Sequence, residues 1–231
     1  VRAMCATSGG GFALMSEAIG QAGMIESPVV IINVQRGGPS TGIPTKTEQA
    51  DLNQAIGASQ GDFPRIIIAP SDASDAFDSA VEAFNLAEKY QLPVIIISDL
   101  LLSEHPETIE SEVLRSDVPI ERGEVIRDWP EGNGAYKRYA FTRSGISPRA
   151  LPGTANAVHV AASDDHDEEG ILISDVFTCQ PVRRKSQEKR MKKVEKALVE
   201  LPAPKLDGPE DAQVTLIGWG STKGVIREAA Q

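Results

Sequence analysis

The sequence predicts an α/β fold with a mostly parallel sheet flanked by helices, and three observations carry that expectation. Residues 29–34, 66–69 and 93–98 are continuous Val/Ile-rich runs rather than alternating ones, the pattern of strands covered on both faces. Between the last two, Ala76, Phe77, Ala80, Val81, Phe84 and Ala87 fall on one helical stripe. Polar or glycine-rich residues follow each run, as a succession of βαβ units requires.

Residues 1–6 read as the first strand, closed by Thr7-Ser8-Gly9-Gly10-Gly11. Met15, Ile19 and Ala22 then place a helix over 12–22. Pro28 introduces the second strand. Ser71 or Asp72 can cap a helix over 73–90, and Pro93 ends it by disfavouring the α region just before itself. Residues 103–160 lack periodicity and read as a long excursion over the sheet edge or against a partner. A helical pattern returns at 186–198. Leu201-Pro202-Ala203-Pro204 and Gly208-Pro209 read as a linker. After it come an expected strand (213–218), a turn at Trp219-Gly220-Ser221 and a helix (222–230). The expected division is one α/β domain over 1–205, lacking its amino-terminal part, and the opening of a second over 206–231. Val1 lies inside an expected strand and Gln231 inside an expected helix, so a fragment is expected.

Composition removes several function classes. Apolar residues are 41 % and charged residues 24 % of 231, which suits a globular chain and excludes collagen-like or low-complexity character. The apolar runs are far shorter than the ~20 residues of a membrane helix, so no membrane crossing is expected. A net charge of −10 makes the chain a poor general binder of nucleic acid. Cys5 and Cys179 form no CxxC pair, so this chain cannot alone supply a cysteine-ligated cluster or zinc site. A reduced, cytoplasmic setting is expected.

The densest chemistry is Gln35-Arg36-Gly37-Gly38-Pro39-Ser40-Thr41-Gly42-Ile43-Pro44-Thr45-Lys46-Thr47. Gly37 and Gly38 let main-chain N–H groups approach an anion, and Arg36 offers a planar fork to a carboxylate or phosphate. Ser40, Thr41, Thr45 and Thr47 add hydroxyls. The plainer reading is a tight surface loop with a solvated arginine. A phosphate-binding P-loop is excluded, because Thr45 rather than glycine precedes Lys46 and Pro44 interrupts the run. Thr7–Gly11 in sequence forms a second glycine-rich turn opening a helix, suited to an anion or simply to packing.

Two further clusters have ordinary readings. Asp165-His166-Asp167-Glu168-Glu169-Gly170 resembles the front half of a calcium loop, but the twelfth position is Val176 instead of Glu. A solvated acidic turn is expected there, with metal binding or acid–base chemistry at His166 as the alternative. His105 and His159 have no spacing partner, and no metal ligand is assigned. Residues 183–196 hold eight basic residues against Glu188 and Glu195. They read as an exposed basic helix face with Met191, Val194 and Leu198 turned inward, rather than as a surface steering an acidic partner.

Thr7-Ser8-Gly9, Leu14-Met15-Ser16-Glu17-Ala18, Val34 through Gly42, Pro44-Thr45-Lys46-Thr47-Glu48-Gln49 and Asp51-Leu52 together resemble the α subunit of 2-oxoacid:ferredoxin oxidoreductases. Gly61-Asp62, Pro64-Arg65, Ser98-Asp99, Gly145-Ile146-Ser147-Pro148-Arg149 and residues 164–170 extend the resemblance. Residues 218–220 resemble the start of that family's next domain. The resemblance implies a pyrimidine-binding domain of thiamine-diphosphate type, followed by a transketolase C-terminal-like domain. It implies oxidative decarboxylation of a 2-oxoacid with coenzyme A, giving an acyl-CoA, carbon dioxide and electrons for ferredoxin.

The resemblance further implies that a β subunit holds the diphosphate with Mg2+ and carries the iron–sulfur cluster. By position, Arg36 would hold the substrate carboxylate. Ser8, Gly9, Gly37 and Gly38, joined by Ser40 and Thr41, would lie beside the cofactor or coenzyme A. The family's Tyr-Pro-Ile-Thr-Pro loop and its activating glutamate would precede Val1, and Gly10 stands where relatives commonly have proline. Two other readings stay open: a component of a thiamine-dependent dehydrogenase serving lipoamide, and a non-catalytic acidic α/β scaffold.

Overall fold

The continuous apolar runs pair with one another in parallel. The computed structural model describes residues 2–173, 179–209 and 211–230. Along the chain lie β1 (Met4–Thr7), α1 (Gly9–Leu14), α2 (Ser16–Met24), β2 (Val29–Gln35), α3 (Leu52–Ile56), β3 (Ile66–Ile68), α4 (Ala73–Tyr90), β4 (Pro93–Asp99) and α5 (Leu100–Glu104). A short β5 (Val125–Ile126), β6 (Arg149–Ala150), α6 (Cys179–Glu200) and α7 (Thr222–Ala229) follow. The main sheet has the order β1-β2-β4-β3, all parallel, with Thr7 opposite Asn33 and Gln35 opposite Asp99.

Crossover handedness distributes the helices. The chain moves from β1 to β2 to β3 in one direction and then turns back to β4. Right-handed connections therefore place α4 on the opposite face from α1, α2 and α3. The cores agree. Ile31, Ile95 and Ile97 pack with Phe12, Ile19, Ala55 and Ala58, whereas Val30, Val94 and Ile96 pack with Ala83, Leu86, Ala87 and Tyr90. This alternation explains why the strands read as unbroken apolar runs.

Helix ends follow local chemistry. Asp72 caps α4 by accepting from the Asp75 N–H at 2.8 Å, and Gln91, at φ 52°, ends it in the left-handed region. The single helix expected over 12–22 is two pieces. At Met15 the N–H is shared between the Gly11 and Phe12 carbonyls, a tightened turn that periodicity does not reveal.

The irregular excursion lies against α4. The Asn85 side chain holds the Pro119 carbonyl and the Glu121 N–H, and buried Glu88 pairs with Arg122 and Arg149. Helix α6 closes the amino end of the sheet.

Its inward face differs in part from the expected one: Arg183, Arg184, Lys185, Lys192 and Lys196 are exposed and Val194 is half-buried as expected, but the rest is not. Lys189, Arg190 and Lys193 are buried, while Met191 and Leu198 are exposed. The reason is a carboxylate, Glu26, enclosed beneath the helix, which draws the cations inward. The expected strand over 213–218 is also corrected. It joins no ladder with a described strand and leaves Val214, Leu216 and Ile217 exposed. Strand-like composition specifies a pleated, half-buried surface and names no pairing partner. The turn at Gly220 (φ 62°) and the helix after it form as expected.

Candidate functional site

Asn33 and Gln35 interrupt the apolar character of β2 near its carboxyl end, and both are fully buried. Each finds partners on the segment that returns to the sheet. Asn33 Nδ2 donates to Asp51 Oδ2 at 3.0 Å, and the Asp51 N–H donates to Gln35 Oε1 at 3.0 Å. Gln35 Nε2 donates to the Ser98 carbonyl at 3.1 Å, tying β2 to β4. Asn33 Oδ1 is buried with no partner in the protein.

The loop between Gln35 and Asp51 closes on Gly37. The Ile43 N–H donates to the Gly37 carbonyl at 2.8 Å, and the Gly37 N–H to the Lys46 carbonyl at 3.3 Å. Gly42 has φ 54°, and any Cβ there would collide with the Gly37 carbonyl. Arg36 is therefore held by its backbone neighbours, between buried Gln35 and buried Gly37. Among the described residues its guanidinium has no hydrogen bond or ion pair, although the side chain is only half-exposed. A half-buried edge with a free planar cation suits a small carboxylate.

The structure brings some of the expected site residues together and leaves others apart. A Cβ on Gly9 would lie 2.9 Å from the Asp51 carboxylate, and one on Gly10 would lie 3.8 Å from the Ser40 carbonyl. The first turn of α1 thus faces the return arm and the loop tip. Ser8 precedes α1 in extended conformation, and its hydroxyl caps nothing. Gly38, Ser40 and Thr41 are exposed at the tip. Gly37 and Glu48 are close, since a Cβ on Gly37 would lie 3.0 Å from Glu48 Oε2.

Sequence reasoning missed the groups beneath this loop. Asp99, buried at the end of β4, accepts from the Leu102 N–H at 3.0 Å through Oδ1. Its Oδ2 accepts from Gln49 Nε2 at 3.1 Å and from the Ser221 hydroxyl. The signal for Asn33 and Gln35 was present in the sequence: two carboxamides inside a run otherwise made of Val and Ile.

A second charged cluster lies at the other end of the sheet. Glu26 pairs with Lys189 through Oε1 and with Lys193 through Oε2, while Arg138 donates to the Glu26 carbonyl at 2.8 Å and to Gln91 Oε1 at 2.8 Å. Burial alone would raise the Glu26 carboxyl, but Lys193, Lys189 and Arg138 together pull it down to about 2. Burial lowers Lys193 to about 8 against the raising pull of Glu26, and it lowers Lys189 as well.

The turn at 164–170 is not the solvated one expected. His166 is 1 % exposed, its ring lies 4.0 Å from that of Tyr139, and Nδ1 meets the Asp164 carbonyl at 2.9 Å. Burial lowers the His166 pKa, so the neutral ring is favoured. Asp165 pairs with Arg183 and Arg190, and Glu168 with Lys137, while Asp167 accepts from the Glu169 and Ile171 N–H groups, so three of the five carboxylates in the turn are held within the fold. Val176, where the calcium pattern breaks, lies outside the described residues. Among the described residues no group of three or more His, Cys, Asp or Glu is placed to hold a metal, and no helix is long and apolar enough to cross a membrane.

A groove of about 370 Å³ lies elsewhere, between the Asp62–Arg65 turn and Met191 and Val194 of α6. Its arginine is committed to structure. Arg65 stacks 4.0 Å over Phe63 and donates to the Ala58 carbonyl at 2.6 Å.

An open parallel sheet with helices on both faces and a polar, loop-built carboxyl edge defines the class of α/β proteins that take ligands at that edge. Within that class the comparisons are specific. The family model "Pyruvate flavodoxin/ferredoxin oxidoreductase, thiamine diP-bdg" matches residues 1–180. The α subunit of a 2-oxoacid:ferredoxin oxidoreductase from Sulfurisphaera tokodaii is 46 % identical, over 99 % of this chain and 36 % of the relative. The 2-oxoglutarate oxidoreductase subunit KorA of Mycobacterium tuberculosis is 35 % identical, over 97 % of this chain and 33 % of that protein. A solved 2-oxoglutarate:ferredoxin oxidoreductase from Magnetococcus marinus, with 2-oxoglutarate, coenzyme A and succinyl-CoA bound, superimposes with a TM-score of 0.84. It is 42 % identical and matches 98 % of this chain and 38 % of its own. The chain spans about a third of the length of these relatives. It belongs to the pyruvate flavodoxin/ferredoxin oxidoreductase family, in its thiamine-diphosphate-binding part.

Proposed function

We propose that this chain serves as α-subunit material of a 2-oxoacid:ferredoxin oxidoreductase, and that Arg36 receives the carboxylate of the 2-oxoacid. The observation that carries this reading is the Arg36 guanidinium, held at the carboxyl edge by buried neighbours and left without an acidic partner. A bidentate contact from a planar guanidinium fixes both the position and the orientation of a small carboxylate, which places the adjacent keto carbon.

The edge fits one end of thiamine diphosphate better than the other. Asp51 and Glu48 stand against the backbone of Gly9 and Gly37, where their charge opposes a diphosphate. The Ser8 hydroxyl, the Gly9, Gly37 and Gly38 backbone and the Ser40 and Thr41 hydroxyls are suited instead to the polar, uncharged aminopyrimidine. Buried Asn33 Oδ1 adds an acceptor still open at this edge. When bound, the cofactor supplies the electron sink that lets a 2-oxoacid lose carbon dioxide. The residues of this chain bind and orient. Arg36 holds the carboxylate, and Gln35 and Gly37 fix the direction in which Arg36 points.

The diphosphate with Mg2+ and the iron–sulfur cluster are assigned to a β subunit, which completes the site, passes electrons to ferredoxin and works with coenzyme A in the cytoplasm. Residues 206–231 are assigned to the beginning of a transketolase C-terminal-like domain after a domain at 1–205. The name of the Magnetococcus marinus neighbour makes 2-oxoglutarate the first substrate to assay.

The test is copurification of the full-length chain with its β subunit, followed by coenzyme A-dependent reduction of a viologen dye with 2-oxoglutarate, pyruvate and a branched 2-oxoacid. Arg36→Ala is expected to lower kcat/KM for the preferred 2-oxoacid by about tenfold or more, as loss of a charge-assisted contact implies. Unchanged kinetics in that variant would remove the assigned role.

A further inference from the structure

The segment after the linker reaches back to the carboxyl edge and is tied there by one carboxylate. Asp99 Oδ2 accepts from the Ser221 hydroxyl and from Gln49 Nε2, and the same Gln49 amide donates to the Trp219 carbonyl at 3.2 Å. Gly220 lies between these bonds with φ 62°, and a Cβ there would stand 3.0 Å from Gln49 Nε2. Trp219 packs on the core shared by α1, α2 and α3, and Lys223 Nζ reaches the Ser71 hydroxyl at 3.3 Å.

Gln49 belongs to the return arm of the Arg36 loop. Three residues before it, the Lys46 carbonyl closes the loop on Gly37, and two residues after it, Asp51 is locked to Asn33 and Gln35. The intervening span, 43–48, is exposed, so few burial contacts hold it down. Gln49 is the point at which the exposed part of the loop is fastened to the sheet. What it is fastened to is shared with Ser221.

We propose that Asp99, Gln49 and Ser221 form a positioning knot that holds the Arg36 loop in place, making the Trp219–Ser221 turn a supporting part of the carboxylate site. The knot rests on the functional reading above only for its kinetic consequence. Its structural consequence stands apart from that reading. Asp99 Oδ1 is occupied by the α5 cap, so the knot acts through Oδ2 alone. Losing the Ser221 hydroxyl leaves the cap intact and removes one of the two donors to that oxygen. The Asp99 carboxylate and the Trp219 carbonyl, the two acceptors of the Gln49 amide, are then no longer tied to each other through Ser221, and the return arm gains freedom at its only anchor between Lys46 and Asp51 among the described residues.

Ser221→Ala, Ser221→Thr and Gln49→Leu in the full-length assembled enzyme test this, with Arg36→Ala alongside. The first readout is limited trypsin digestion, following cleavage after Arg36 and Lys46 by mass spectrometry. Ser221→Ala and Gln49→Leu are expected to speed those cleavages several-fold relative to sites elsewhere, and Ser221→Thr, which keeps the hydroxyl, restores the slow rate. The second readout is kinetic. The same two variants raise KM for the 2-oxoacid about three- to tenfold, the range of one lost hydrogen bond to a charged group, while KM for coenzyme A stays fixed. Unaltered cleavage, a change shared equally by all tryptic sites, or failure of Ser221→Thr to restore would overturn the knot. Faster cleavage in Ser221→Ala together with silent kinetics in Arg36→Ala would keep the knot and remove the functional reading instead.

Discussion

At the amino end of the sheet, Glu26 is 2 % exposed and faces Lys189, Lys193 and Arg138, whereas at the carboxyl end Arg36 faces no carboxylate among the described residues. Both ends are polar, yet their charges are treated oppositely. The amino-end cluster joins segments far apart in the chain, since Glu26 precedes β2, Arg138 lies in the excursion and the lysines belong to α6. Its charges are enclosed and face one another, so it holds the fold. The carboxyl-end groups fix a backbone and leave one cation open. In a folded protein an enclosed charge needs its partner in the chain, and an unpartnered one at a half-buried edge is available to a ligand.

The comparison breaks most clearly at Glu26. Glu26→Gln leaves two buried lysines without their counter-ion and is expected to cost about 3–5 kcal/mol, read by equilibrium unfolding. The wild-type pH profile gives the same information without a substitution. The folded-state pKa of Glu26 lies near 2, below its ordinary 4.5. Between these values the unfolded chain binds more protons, so the stabilisation present above pH 4.5 is lost as pH falls toward 2. A flat acid limb that Glu26→Gln leaves unchanged would mean the cluster is not what holds α6 down.

The opposite result is expected at the other end. Arg36→Ala is expected to cost about tenfold or more in kcat/KM for the 2-oxoacid, yet change unfolding free energy by no more than about 0.5 kcal/mol, because no contact of the chain is removed. A large loss of stability would show that Arg36 is a structural residue and that the two ends do not differ in kind.

The two regions also differ in how far the sequence disclosed them. Helix α4 could be read to its last residue, since Asp72, its apolar stripe and Pro93 are all local signals. The Arg36 loop was equally visible, because glycine and proline fix backbone through neighbours in sequence. The Glu26 cluster was not visible, and although five of the eight basic residues are exposed as expected, Lys189, Arg190 and Lys193 turn inward where Met191 and Leu198 were expected. Lys189 and Lys193 stand four apart on one helical face, but that spacing suits a solvated face as well as a buried one. Their counter-ion lies 163 positions from Lys189, beyond any local pattern. Residues 213–218 misled for a related reason: alternation of apolar residues proposes a strand, while pairing is decided elsewhere in the chain.

The finest test of the amino-end cluster concerns its surplus cation. One carboxylate faces Lys189, Lys193 and Arg138, so positive charge is buried in excess, and burial holds Lys193 at about 8 rather than its ordinary 10.5. Between pH 8 and 10.5 the unfolded chain binds more protons at this position than the folded one. Stability is therefore expected to rise with pH across that window, by about 1 kcal/mol per unit at most. Burial raises Tyr139 to about 12 and raises Tyr90 as well, so both oppose the rise once the unfolded tyrosines ionise near pH 10, and the rise is read between pH 8 and about 9; neutral His166 is already deprotonated there. Lys193→Met keeps the length of the side chain, leaves Lys189 to pair with Glu26, and reduces the buried excess of positive charge by one. That variant is expected to unfold within about 1 kcal/mol of wild type at pH 7 and to lose the alkaline rise. An alkaline rise that survives in Lys193→Met would place the surplus proton on Lys189, and a loss as large as that of Glu26→Gln would show that both lysines are needed to hold the one carboxylate.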